Sequence, residues 1–137
     1  MINAIQIALS GLAASSKKVE ASAENIANLT TTGSISDPDN APFEAKTTVQ
    51  ESLSDSQGGS LGVRADVIPK NTPFVPAFDP DSPFADENGV IGVPNVNLAE
   101  EAVNLSIAEI TFKANLKVIE AASDLSDELL DIFDERV

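Results

Sequence analysis

The chain has 137 residues, with 22 acidic side chains against 8 basic ones, a formal charge of −14, and neither Cys nor His. That balance argues against nucleic acid and against anionic membrane surfaces as partners, because phosphate recognition needs clustered Lys and Arg. Lacking thiol and imidazole, the chain has no disulfide, no Cys/His zinc site and no imidazole acid–base chemistry.

Apolar residues make up 42% of the chain but aromatics only 4%, with six Phe and no Trp or Tyr. The apolar bulk therefore comes from Ala, Leu, Ile and Val, which suits helix-on-helix packing in a single domain of this size. Ile2, Ile5, Leu9, Leu12, Ser16, Val19, Ala23 and Ile26 recur at alternating intervals of three and four, a heptad stripe with a polar interruption at Ser16. The stripe predicts a helix over 2–28, roughly 40 Å long. The β-branched Thr30, Thr31 and Thr32 should end it, with Gly33 free to turn left-handed. Ala4, Ile7, Ala8, Gly11, Ala14 and Ala21 leave little polar face, so more than one neighbour is expected to cover this helix. The first charge is Lys17, so the basic start of a cleavable signal peptide is missing.

Residues 34–96 hold all eight prolines. Lys46–Leu53 and Ser60–Ile68 alternate as strands, with Gly58-Gly59 as their turn, and Asn88-Gly89 turns into a further strand over Val90–Val93. Five prolines between Pro69 and Pro83 exclude a central strand there. A small β-rich, Pro/Gly-rich middle module is expected, with a core drawn from Phe43, Phe74, Phe78 and Phe84.

From Asn97, an N-cap with Glu100 and Glu101 in the first turn, a helix of roughly 35 residues should follow. It carries two apolar lines: Leu98, Ala102, Leu105, Phe112, Leu116 and Ile119, and then Val103, Ile107, Ile110, Ala114, Val118, Ala121, Leu125 and Ile132. One N-terminal helix cannot cover both, and that surplus suits a subunit of a filament. The last turns gather Glu120, Asp124, Asp127, Glu128, Asp131, Asp134 and Glu135 into an acidic, solvated face.

Sites for chemistry are few. Asp37-Pro38-Asp39 and Asp79-Pro80-Asp81 begin like calcium loops but lack the glycine and the closing glutamate at the required spacing. The sequons at Asn28 and Asn104 are short patterns that arise by chance. No phosphate loop, dinucleotide fingerprint or nucleophile elbow is present, and no carboxylate pair sits in a stretch that reads as a buried cleft. No enzyme, no metal and no cofactor are expected.

Ser10-Gly11-Leu12, then Asn25-Ile26-Ala27-Asn28, then Thr31 and Gly33, resemble the N-terminal signature of the bacterial flagellar rod, hook and hook-associated axial proteins. Asn88-Gly89, Pro94-Asn95-Val96-Asn97, Glu100-Glu101 and Ala114-Asn115 narrow the resemblance to a proximal rod subunit. Thr32 stands where that signature commonly has proline.

The resemblance implies an α+β fold. The segment 1–33, an axial helix and its motif loop, would pair with the axial helix over 97–137 as an antiparallel coiled coil, and 34–96 would form the module outside it. It implies polymerisation with copies of itself and with other rod subunits, and export without a cleaved signal through the flagellar type III apparatus to the periplasmic rod. No nucleic acid and no membrane insertion are implied. Ile2, Ile5, Leu9, Leu12, Val19, Ile26, Leu105, Phe112, Leu116 and Ile119 are the expected assembly residues. Two other readings share parts of this pattern: a second kind of short rod subunit, and a small acidic helical-hairpin adaptor or export chaperone.

Overall fold

The computed structural model describes the backbone of residues 2–134 and the side chains of 3–132. Two long helices, α1 (Ile2–Ala27) and α2 (Leu98–Asp134), enclose four short strands in the chain, β1 (Lys46–Ser54), β2 (Ser60–Pro69), β3 (Phe74–Phe78) and β4 (Val90–Pro94). The fold is α+β. A Cβ placed on Gly11 would meet Asn115, while Asn25 bonds Glu101, so the helices pack side by side in opposite directions.

The face that α1 buries is not the heptad stripe. Ala8, Ala14, Ser15, Ala21, Ser22 and Asn25 are buried, whereas Leu9 is 52% exposed, Val19 40% exposed, and Ile5, Leu12 and Ile26 only half-buried. The buried seam is thus displaced by about one residue, or roughly 100° around the helix, from the large apolar side chains. Two elements crowd α1, since both α2 and the β1–β2 hairpin pack on it. Only small side chains admit both at once. Ile2, the first member of the stripe, lies outside the described side chains.

β1 and β2 form an antiparallel hairpin with Thr48 opposite Val67 and an irregularity at Leu53/Ser54. Its turn is closed by Asp55, whose carboxylate accepts from the Gln57 and Gly59 amides, and Gly58 takes φ +82°. Thr48, Val63, Ala65 and Val67 are the half-buried inner face, and Val49, Leu53 and Ile68 stay exposed outside.

β3 and β4 make a separate two-stranded sheet, so each is an edge strand and Pro76 in β3 is tolerated. Gly33 fastens this sheet to the end of α1. Its amide donates to the Gly92 carbonyl at 3.1 Å, and the Gly92 amide donates back at 2.8 Å.

Two expectations are corrected here. Gly33 does not turn left-handed; it is needed because a Cβ would lie 2.5 Å from the Ala41 carbonyl carbon. Nor do phenylalanines build the middle core: Phe78 is 76% exposed, Phe43, Phe74 and Phe84 are half-buried, and the buried side chains are the smaller Ala45 and Ile91 with Pro42 and Pro94. Two small sheets braced on loops have too little volume to close over large rings.

Candidate assembly interface

The N-terminal motif residues lie where the elements meet. Ser10 donates its hydroxyl to the Ile7 carbonyl and accepts the Val63 amide at 3.0 Å, so it ties α1 to β2. The strand reaches it because Gly62 adopts φ +105° directly over Ser10. Next to it, Gly11 makes room for α2, since a Cβ there would stand 2.6 Å from the Asn115 amide nitrogen. One residue of the pair holds the hairpin and the other admits the second helix.

Farther along α1, Asn25 imitates a strand residue. Its side-chain carbonyl accepts the Lys46 amide and its NH2 donates to the Lys46 carbonyl, both at 2.8 Å, and also to Glu101 Oε1 at 2.8 Å. Glu101 is 2% exposed and further receives Asn104 at 3.5 Å, with the Lys70 ammonium 3.6 Å away. A buried carboxylate survives only with such partners. The knot fixes the start of β1, the end of β2 and the first turn of α2 to one point on α1. Lys46 and Lys70 belong to it, and the sequence reading missed them. Their one signal is position, at the outer ends of the two alternating segments.

The remaining motif residues terminate and connect. Asn28 donates to the Glu24 carbonyl and accepts from Thr31, while the Thr31 carbonyl accepts the Phe43 amide. Asn97 accepts the Ala99 amide at 3.0 Å and so caps α2. Asn95 donates to the Thr72 carbonyl, and Pro94 is buried. Gly89, at φ +76°, closes the turn in which Asp86 accepts the Asn88 and Val90 amides. Those amides, Val90 first, hold the Asp86 carboxyl below its ordinary range. Ala27 and Ala114 are exposed and Ile26 is half-buried, so these three motif members are not part of the protomer's core.

Of the residues expected at an assembly interface on α2, Leu105 and Ile119 are half-buried, whereas Phe112 and Leu116 are exposed. The second apolar line faces solvent: Val103, Ile107, Ile110, Ala114, Val118, Ala121, Leu125 and Ile132 are all exposed, Ile110 by 66%. Beside the α1–α2 seam, Ser16, Val19, Ala108 and Phe112 line an apolar groove of about 380 Å3, bordered by Glu109 and Lys113. Among the described residues no helix is long and apolar enough to cross a membrane, and no cluster of carboxylates could hold a metal.

Two long antiparallel helices with exposed apolar lines, braced by a motif that spans both, suit a subunit of a larger assembly. Residues 5–33 match the family described as flagella basal body rod protein, and residues 87–132 match the C-terminal family of flagellar basal body rod FlgEFG proteins. Over 126 residues the chain is 33% identical to flagellar basal-body rod protein FlgC of Salmonella typhimurium, covering 91% of this chain and 92% of that one. It is 35% identical to FlgC of Agrobacterium fabrum over 130 residues, and 29% identical to FlgC of Aquifex aeolicus over 126. The chain belongs to the FlgC family of flagellar basal-body rod proteins, a structural family and not an enzymatic one.

Proposed function

We propose that the protein is a structural subunit of the proximal rod, polymerising through its terminal helices with copies of itself and with other rod subunits. In this reading α1 and α2 form an antiparallel coiled coil, and the β-rich module stands outside it. The subunit travels through the flagellar type III apparatus without a cleaved signal and assembles across the periplasm. The observation that supports it most is the second apolar line of α2, exposed along its whole length. A fully covered aliphatic side chain gains about 1.5–3 kcal/mol, so a line of this length favours strong association.

Hydrogen exchange on the full chain, dilute and then concentrated under assembly conditions, tests the reading. Protection that appears in both helices only on self-association supports it. Full protection of both helices in the dilute monomer points instead to a self-contained adaptor.

A further inference from the structure

Phe78 is the most exposed large hydrophobic side chain among the described residues, at 76%. It ends β3 on a rigid support: Asp79 donates to the Gly89 carbonyl and Gly89 lies under the ring. Asp79, Asp81, Asp86 and Glu87 surround this segment in sequence, and no Lys or Arg occurs between Lys70 and Lys113. The ring is therefore an apolar knob on an acidic lobe.

The α1–α2 groove offers the reverse. Its walls are Val19, Ala108 and Phe112, and its volume of about 380 Å3 accommodates an aromatic ring. Lys113 borders it beside its partner Glu109, and Lys17, paired with Glu20, follows the lining residue Ser16 in sequence. All of these are exposed, so the lysines can exchange partners at little cost. On a chain of net charge −14, this apolar groove with a charge-balanced rim is one an acidic lobe can approach.

Resting on the rod-subunit reading, we propose that Phe78 of one copy docks into the Val19–Ala108–Phe112 groove of the next. Asp79 and Asp81 would then face Lys113 and Lys17. In a head-to-tail arrangement each copy's knob enters the groove of the next, which leaves one knob and one groove free at the ends. Repetition of such a contact builds an open helical array. The β-rich module thereby becomes an axial contact, in addition to the helix-to-helix contacts.

The chain contains no Cys, so engineered pairs report without background. Asp79→Cys with Ser16→Cys, which keeps the Phe78 ring, is oxidised in concentrated full-length protein while sedimentation follows assembly. The expected result is disulfide-linked dimers and higher oligomers in the sedimenting fraction. Asp79→Cys with Gln57→Cys, at the far hairpin turn, should give none. Phe78→Asp should raise the concentration needed for sedimentation by about tenfold, and Phe78→Leu should restore most of it. Sedimenting protein that forms no link between positions 16 and 79, or Phe78→Asp that assembles normally, overturns the docking and leaves the rod reading standing. A chain that never sediments at any concentration overturns both.

Discussion

The Asn25 amide and the Glu101 carboxylate meet at 2.8 Å across 76 residues of sequence, both almost wholly enclosed. This bond, with the two that Asn25 makes to the Lys46 backbone, is where both helices and the hairpin become one unit. Asn25→Ala leaves the Lys46 peptide groups and a buried carboxylate short of partners, at a cost of about 3 kcal/mol. Urea unfolding of the monomer would measure it. Asn25→Asp should cost more, since it sets two carboxylates against each other. A loss below about 0.5 kcal/mol in either variant would show that the knot opens to water.

Gly11 and Asn115 form a second cross-helix relationship, steric in origin. In an ordinary exposed helix Gly→Ala gains about 1 kcal/mol of propensity. Here the new methyl would meet the Asn115 side chain at 2.6–2.7 Å, and that side chain is held by its own bond to the Thr111 carbonyl. Gly11→Ala is expected to destabilise by about 1–2 kcal/mol, and Asn115→Ala in the same chain to recover most of it. A double-mutant cycle with no coupling would refute the close approach.

The legibility of these features from sequence differed sharply by kind. Helix positions, the Asn97 cap, the hairpin and the β4 turn follow from local rules of spacing, capping and turn chemistry, and α1, β1, β2 and β4 lie within two residues of expectation. The buried face of α1 did not follow, because hydrophobic periodicity finds the largest apolar residues. In this protomer they point outward while Ala, Ser, Gly and Asn face inward. The same inversion misled the reading of Phe78. Periodicity assumes that each chain covers its own apolar surface, and that assumption fails for a subunit. Asn25 and Gly33 were legible as motif residues, but their roles depend on Lys46 and Ala41, which no local pattern connects to them.

Acid should loosen the two aspartate turns. Hydrogen bonds from Asn40 and then the Asp39 amide lower the Asp37 carboxyl, and the Val90 amide chiefly lowers that of Asp86. Each folded value therefore lies below the unfolded carboxylate value of about 3.9. The stabilisation is complete above that pH and is lost as pH falls through the folded values. Exchange of the Val90 and Asn88 amides should quicken relative to the β1–β2 amides on acidification below about pH 4. Asp86→Asn should remove that dependence at Val90, and an unchanged profile would refute the turn's role.

Ala108 and Ile110 are two residues apart on α2 and should respond oppositely to the same change. Ala108 is 1% exposed in the seam, and a carboxylate there has neither room nor partner, so Ala108→Asp should cost more than about 3 kcal/mol of monomer stability. Ile110 is 66% exposed, so Ile110→Asp should change monomer unfolding by less than about 0.5 kcal/mol. In the assembled state the order reverses in meaning, because Ile110 lies midway along the uncovered line where neighbours would pack. Ile110→Asp is expected to abolish sedimentation of a chain that remains fully folded. If it assembles as well as the parent, the second line of α2 is solvated in the rod, and the exposed apolar surface must be covered from α1 and the β-rich module instead.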